Sequence, residues 1–279
     1  MEMSEEVKAA IAGISDKKLK EAAEGLMERI NATGEGMEDE VSFQIPYLRL
    51  VQAMTDPDTL PEGAVRGDYV IGTAADGEKM PKPLEFYLVM VEDGRSYFEA
   101  STDDTKAPKL LCYSPDGIIG KMGSCKECPL SKWEDGEKSA CRKNRSIIGV
   151  TPDLDLVFKY VFSKTGYSEG MGITKKLRTI RGVSNTYDFL WSLDSAPYPE
   201  RKTVSVPVVS VASRTVEPTL KNFLKELTRQ IKEDHKIYVQ MFRESVEQNG
   251  TKVITHEVDR DPDAPLNTGA QKELTFNLD

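Results

Sequence analysis

Four cysteines constrain this 279-residue chain more than any other feature of its sequence. Two cysteines separated by two residues can turn both thiolates toward one ion, and two further thiolates complete the tetrahedron that zinc prefers. Turn-forming residues surround the central pair, with Gly123 before it and Pro129 directly after it. The spacing therefore predicts a structural zinc site in a loop subdomain over residues 112–141. Its ligands follow the pattern C-x12-C-x2-C-x12-C and are Cys112, Cys125, Cys128 and Cys141.

The sequence also allows other roles for these cysteines. Two disulfides need an oxidising compartment, and the acidic segment Met1 to Lys8 lacks the basic and apolar regions of a secretory signal. A redox pair at Cys125 and Cys128 normally lies between a strand and a helix rather than among turn residues. Unpaired buried thiols, or an iron–sulfur cluster with the same ligands, are further alternatives. Because four protein ligands leave zinc no open position, we expect the metal to stabilise the loops rather than to catalyse.

The net charge of −9 conceals an uneven distribution of charge along the chain. Residues 1–104 carry 10 basic and 23 acidic side chains, residues 105–182 carry 15 and 8, and residues 183–279 carry 12 and 15. All four cysteines therefore lie in the one basic block. Basic side chains attract polyanions where they share a surface, so this block is the candidate binding region.

Short apolar runs separated by turn signals dominate residues 41–215. The run 84–91 is expected to end at a turn over Glu92-Asp93-Gly94, and Pro207 marks the run 203–211 as an edge strand or a bulge. The glycine-rich segment 166–172 is expected to be a mobile loop. Strands of this length and spacing predict a mainly β (α+β) protein built on an OB-like barrel.

Helices are predicted on both sides of this β region. Apolar residues at a period near 3.6 predict one helix over residues 4–30 and another over 217–234. We expect the second helix to continue to a C-cap at Asn249-Gly250, although the same dipeptide suits the turn of a hairpin. The predicted regions are an acidic helical extension (1–40), an OB-like β domain (41–215) with the zinc loop (112–141), a C-terminal helix region (216–256) and an acidic flexible tail (257–279).

Basic and aromatic residues alternate through and beyond the cysteine block. Basic grooves lined with aromatic rings bind single-stranded nucleic acid, and each stacked base contributes about 1–3 kcal/mol. Three residues have a second interpretation: a core-facing strand is the favoured one for Tyr160 and Phe162, and packing over the metal suits Trp133 as well as base stacking does. Residues 175–181 also suit a solvated helix turn. The candidate DNA contacts are Lys109, Tyr113, Lys121, Lys126, Trp133, Arg142, Lys143, Arg145, Tyr160, Phe162, Lys175, Lys176, Arg178 and Arg181.

Motifs for catalysis are lacking in the sequence. It contains no G-x-x-x-x-G-K-[ST], G-x-S-x-G or G-x-G-x-x-G pattern. The two histidines, His235 and His256, lie outside any metal or nucleophile motif and are expected to be solvated. A run of ~18 apolar residues, which a membrane span needs, is also lacking. The sequence therefore favours a binding protein over an enzyme and predicts no membrane partner.

The sequence resembles the zinc-containing single-stranded DNA-binding proteins that tailed bacteriophages encode for replication and recombination. The similar elements are the run Ile45–Leu50, the strand start Gly67-Asp68-Tyr69 and the segment Cys112–Cys141 with its Asp116-Gly117 turn and Trp133. The resemblance spans about residues 41–215. It implies an OB-fold barrel with T-even-like organisation and a zinc loop beside the binding cleft. It also implies a cytoplasmic location in an infected bacterium, and an acidic tail that contacts replication or recombination proteins and competes with DNA.

The chain departs from the T-even members of that family, which use three cysteines and a histidine and carry a basic N-terminal segment for cooperativity. Here residues 1–40 are acidic, so self-association must differ or residues 1–30 serve another partner. The predicted function is sequence-tolerant binding of single-stranded DNA. The alternatives are a zinc-stabilised interaction module that docks on a polymerase or host regulatory factor, and a nuclease or recombination accessory.

Overall fold

The computed structural model describes residues 3–32, 45–53, 55–72, 76–98, 109–132, 139–180, 185–213 and 216–248. Within these ranges the chain has a mixed α+β fold with four α-helices and a large sheet curled into a half-barrel. The helices are α1 (Glu5–Ala12), α2 (Lys17–Ala32), α3 (Tyr167–Thr179) and α4 (Pro218–Gln248). The strands are β1 (Tyr47–Leu50), β2 (Tyr69–Ile71), β3 (Glu78–Lys79), β4 (Leu84–Phe98), β5 (Leu110–Ser114), β6 (Ile119–Gly120), β7 (Gly123–Ser124), β8 (Arg142–Val150), β9 (Val157–Phe162), β10 (Leu190–Tyr198) and β11 (Arg201–Ser213).

Nine of the described strands form one sheet in the order β11-β10-β4-β8-β9-β1-β2-β3, with β5 pairing to the end of β4. All neighbours are antiparallel except β1 and β9, which run parallel. Strands β6 and β7 form a separate hairpin. Pro207 lies on β11, at one edge of the sheet, which confirms the predicted edge position. Proline has no N–H to donate, and on an edge strand this does not interrupt the hydrogen bonds between central strands.

A hydrophobic cluster lies on each face of the sheet because side chains alternate along every strand. One face carries the aromatic residues Phe86, Phe158 and Trp191 and is covered by α3 through Ile173. We call it the α3 face. The opposite face, here the α4 face, packs against α1, α2 and α4, whose apolar residues share one cluster with Ile148 and Val150. The N-terminal helices are therefore part of the core rather than an extension beside it.

The predicted single helix over residues 4–30 is two helices. The break falls at residues 13–16, where the carboxylate of Asp16 accepts hydrogen bonds from the N–H groups of Lys18 (2.8 Å) and Leu19 (3.1 Å). A side-chain carboxylate that caps a new helix in this way satisfies donors that have no partner inside the helix. The break lets both helices pack on the α4 face.

The predicted turn at Glu92-Asp93-Gly94 is wrong, because β4 runs without interruption from Leu84 to Phe98. Glu92 is buried and its carboxylate contacts Lys159 Nζ at 2.7 Å and His235 Nδ1 at 3.1 Å. Glycine is required at position 94 because a Cβ there would lie 2.9 Å from the backbone carbonyl oxygen of Ser114 as well as 2.7 Å from Asn144 Oδ1. Polar residues that normally mark a turn are thus accommodated inside a strand by partners distant in sequence.

The glycine-rich segment 166–172 is also not a loop, since α3 begins at Tyr167. A Cβ at position 170 would lie 2.8 Å from Cβ of Phe162. Glycine therefore allows α3 to rest directly on β9. The cost in helix propensity, about 1 kcal/mol for a glycine, is offset by burial of the ring beneath it.

Helix α4 continues to Gln248, which confirms the helical interpretation of residues 235–248 over the hairpin. Leu220, Phe223, Leu224, Leu227 and Ile231 line its buried face, as the period predicted. Residues 257–279, the predicted acidic tail, lie outside the described residues. No helix in the described part of the chain is long and apolar enough to cross a membrane.

Candidate metal centre and the adjacent basic surface

The fold brings the four cysteines to one end of the sheet. Cys112 lies on β5, Cys125 and Cys128 follow the β6–β7 hairpin, and Cys141 directly precedes β8. Backbone hydrogen bonds close this subdomain: the Cys125 N–H donates to the Ile118 carbonyl at 2.8 Å, and the Cys141 N–H donates to the Leu130 carbonyl at 2.7 Å. All four are free thiols, and three of them are buried. The first of these bonds closes the segment between Cys112 and Cys125, and the second closes the segment between Cys128 and Cys141.

The segment between Cys125 and Cys128 is a tight turn. The Ser124 carbonyl accepts hydrogen bonds from the N–H groups of Glu127 (3.3 Å) and Cys128 (3.0 Å). The Ser131 hydroxyl closes the other side of the turn and donates to the carbonyls of Cys125 and Cys128. These hydrogen bonds fold the backbone between Cys125 and Cys128 into a turn, as metal ligands separated by two residues require.

The thiols influence one another electrostatically across the subdomain. Burial raises the pKa of Cys112, and the nearby Cys125 and Cys128 raise it further. Burial likewise raises the pKa of Cys141 to about 11, with contributions from Cys112 and Cys125 in the same direction. The Cys112 thiol therefore lies within electrostatic range of each of the other three. In the described ranges no group of three or more potential ligands is closed around a common point.

Hydrogen-bond donors surround these sulfur atoms. The N–H groups of Met122 and Lys121 point at the Cys112 sulfur. The Ser114 hydroxyl lies within hydrogen-bonding distance of the Cys125 sulfur, and the Arg95 guanidinium donates to the Cys141 sulfur. Each donor opposes the effect of burial and favours the thiolate. Four thiols in one subdomain, with donors that favour their thiolate form, suit a soft or borderline cation such as zinc, and equally an iron–sulfur cluster.

A basic surface extends from the cysteine subdomain along the α3 face. Residues directly opposite one another on paired strands point to the same side of a sheet. Arg95 is paired with both Ser114 and Lys143, and Asp93 with Arg145, so these side chains share the α3 face. Arg145 then contacts α3, where its guanidinium lies 2.8 Å from Thr174 Oγ1 and 2.9 Å from Met171 Sδ. The exposed residues Lys175 and Arg178 continue the surface on α3 itself.

The predicted DNA contacts other than Tyr113, Tyr160 and Phe162 divide into three groups. Lys176 pairs with Glu169 at 2.6 Å and Arg145 is 9% exposed, so both are engaged within the protein. Trp133 and Arg181 lie outside the described residues. The contacts exposed to solvent are Lys109, Lys121, Lys126, Arg142, Lys143, Lys175 and Arg178.

The aromatic contacts require correction. Tyr160 is 6% exposed and Phe162 is 0% exposed, so neither ring can stack on a base in this fold. They pack against each other, with ring centroids 4.8 Å apart, inside the cluster on the α3 face. Tyr113 is half-buried on the α4 face, and its ring meets that of Phe242 edge to face at 6.4 Å. The alternation of aromatics on β9 therefore marked the core, as the alternative interpretation held.

Three contributors to this region had no signal in the sequence. Arg95 belongs to the acidic block, yet strand pairing sets it beside the thiols. Arg243 of α4 binds the Asp116 carboxylate at 2.5 and 3.0 Å. His235, expected to be solvated, is half-buried against Glu92; burial lowers its pKa, while the Glu92 carboxylate acts in the opposite direction. Only pairing between distant segments places these side chains.

The Asp116 turn connects the cysteine subdomain to α4. Burial of the carboxylate is outweighed by hydrogen bonds from the Ile118 N–H and from Arg243, which hold the pKa of Asp116 below its ordinary value. The same carboxylate accepts from the Ile119 N–H and lies 3.1 Å from the Ser114 hydroxyl. The loop that follows the first cysteine is therefore fixed by an ionised side chain and by the distal part of α4.

Comparison of the chain with family models, with curated proteins and with solved structures finds no match in any of the three.

Proposed function

We propose that this protein binds single-stranded DNA in a sequence-tolerant manner and that a structural zinc ion, held by Cys112, Cys125, Cys128 and Cys141, maintains the binding surface. The observation that carries the proposal is the juxtaposition of the thiol-rich subdomain with exposed basic residues on the α3 face, above all Lys143, Lys175 and Arg178. Phosphates are bound mainly by such side chains, and the metal would act only through the loops that it fixes.

An OB-like barrel is the finer description that we propose for the curled sheet. The resemblance to phage single-stranded DNA-binding proteins supports the same reading, with replication and recombination as the setting and with replication or recombination proteins as partners of the acidic tail. Because Tyr160 and Phe162 are buried, base stacking has to use other rings. Trp133 is the remaining sequence candidate for that role, and Tyr113 has one side covered by Phe242.

We expect the affinity for oligo(dT) to fall steeply with salt, because each neutralised phosphate releases counterions. Four to six phosphate contacts on single-stranded DNA predict a slope of about −3 to −4 in log K against log salt. Fluorescence anisotropy with labelled oligo(dT) at several salt concentrations, with duplex DNA as competitor, measures both the slope and the preference for single strands.

Three results would contradict the proposal. Binding that does not depend on salt, or that shows no preference for single strands, would favour the interaction module that docks on a polymerase or host factor. Cleavage of the oligonucleotide in the presence of Mg²⁺ would favour the nuclease alternative. The variant Lys143→Gln tests the surface itself, since loss of one phosphate contact lowers the slope by about 0.7.

Truncation before Glu257 is expected to raise the affinity for oligo(dT). Residues 257–279 contain six acidic and two basic side chains and would compete with DNA for the basic surface. We expect a gain of roughly tenfold at low salt, equivalent to about 1.4 kcal/mol, and a smaller gain at high salt. A matched control keeps the length of the tail and replaces its acids with Asn and Gln. Equal affinity of the full-length and truncated chains would refute this role of the tail.

A further inference from the structure

Arg95 lies in β4 between Ser114 of β5 and Lys143 of β8, each of which is two residues from a candidate ligand, Cys112 or Cys141. Tyr97, two residues further along β4, is opposite Cys112, so the side chains of Arg95 and Cys112 point to the same face of the sheet. The Arg95 guanidinium donates to the Cys141 sulfur and is close enough to Cys125 to act on that thiol as well. Cys125 lies in the central turn and Cys141 precedes β8, so one side chain contacts both halves of the cysteine pattern.

The position of Arg95 is fixed by the sheet. The side chains of Arg95, Ser114 and Lys143 all point to the α3 face. Ser114 is the residue whose hydroxyl contacts the Cys125 sulfur. Arg95 and Ser114 are thus cross-strand neighbours beside the thiols. The Ser114 hydroxyl donates to the Asp116 carboxylate at 3.1 Å, which leaves Arg95 as the side chain that donates to a sulfur atom, whereas Lys143, the other neighbour, is exposed to solvent.

A divalent cation held by four thiolates keeps an excess of negative charge, which is unfavourable in a largely buried site. A guanidinium that donates to a thiolate offsets part of this excess and orients the ligand. Arg is better suited than Lys to this role because its planar group presents several donors in fixed directions.

We propose that Arg95 is a positioning residue of the metal centre, where it offsets the charge of the thiolates, and not a phosphate-binding residue of the neighbouring surface. The inference rests on the proposed metal centre. It assigns different roles to two adjacent cations on the same face: Arg95 stabilises the metal centre, and Lys143 binds DNA phosphates.

Two substitutions test this assignment, each removing one positive charge from a neighbouring position. In Arg95→Gln, zinc affinity measured by chelator competition at one pH is expected to fall by about 10- to 100-fold, the usual effect of losing an outer-sphere partner. The sulfur-to-cobalt charge-transfer band of the Co²⁺-loaded protein is expected to shift, because the thiolate loses a hydrogen bond. Arg95→Lys keeps the charge and should recover part of the affinity. At saturating zinc, the salt slope of oligo(dT) binding should equal that of the wild type.

Lys143→Gln should give the opposite pattern, with wild-type zinc affinity and a lower salt slope. Zinc affinity of Arg95→Gln within twofold of the wild type, in a chain whose circular dichroism matches the wild type, would overturn the inference while leaving the metal centre in place. Equal losses of zinc affinity in both variants would overturn it as well, because the effect would then be general to surface charge. If the wild-type chain binds neither zinc nor cobalt, the metal centre itself fails, and the inference with it.

Discussion

Replacing Cys125 with serine is expected to abolish tight zinc binding and to unfold the cysteine subdomain. Structural zinc contributes on the order of 10–16 kcal/mol of apparent binding free energy in zinc-finger peptides, and the binding energy is folding energy for the loops that supply the ligands. Since even an outer-sphere partner is worth 10- to 100-fold in affinity, loss of a direct ligand should exceed about 100-fold. Metal content after dialysis, and the melting temperature with and without a chelator, measure the effect.

The matched control for this substitution is Glu127→Ala, which changes an exposed residue in the same turn and should retain its zinc. Chelator should lower the melting temperature of the wild type and of this control, and leave Cys125→Ser unchanged. A Cys125→Ser chain as stable as the wild type, with neither responding to chelator, would remove the metal centre. If reductant rather than chelator destabilises the wild type, the disulfide alternative is correct; iron and sulfide in the purified chain would indicate a cluster.

Replacing Phe162 with alanine is expected to destabilise the protein by about 3–5 kcal/mol, the usual cost of removing a buried aromatic side chain. The ring is fully buried between Tyr160 and α3, and Gly170 brings the helix backbone so close that α3 cannot collapse further into the cavity. Unfolding in urea, followed by circular dichroism, measures the loss as a shift of the midpoint with little change of slope.

A leucine at position 162 separates the core role from a stacking role. Leu fills most of the cavity and should cost less than about 1.5 kcal/mol, yet it has no ring on which a base can stack. We therefore expect Phe162→Leu to bind oligo(dT) like the wild type. A loss of affinity by roughly 5- to 150-fold, which corresponds to 1–3 kcal/mol for one stacked base, would show that the ring meets DNA and that the fold opens on binding.

Local patterns predicted those elements whose stability depends on neighbouring residues. The apolar period of α4 is strong enough to identify its buried face, and Pro207 correctly marked an edge strand. The patterns failed where distant partners decide. Glu92-Asp93-Gly94 has the composition of a turn, but Lys159 and His235 supply partners for Glu92, and Gly94 fits against Asn144. A distant partner also decides residues 167–172, which belong to α3 because Gly170 lets the helix rest on Phe162 of β9.

The same distinction between local patterns and distant contacts applies to the candidate site. Cysteine spacing predicted the metal ligands, because a two-residue gap and its turn are local properties of the chain, and the fold places all four cysteines in one subdomain. Whether Tyr160 and Phe162 are core or surface residues depends on which face of β9 is covered. Alternation of side chains along the strand cannot show which face that is. Lys143 of β8 and the exposed bases of α3 were candidates from the sequence, but their common surface follows from strand pairing and from the docking of α3.

The sequence by itself determined the four thiols, their grouping in a basic segment and the strand-rich organisation of the chain between its helices. These features depend on residue type and short-range spacing. Only the tertiary structure decided that Arg95, from the acidic block, lies against the thiols, that the aromatic face of β9 is interior and that α4 is tied to the Asp116 turn by Arg243. Such contacts join residues far apart in the chain, and they form because the sheet pairs strands whose order in space differs from their order in sequence.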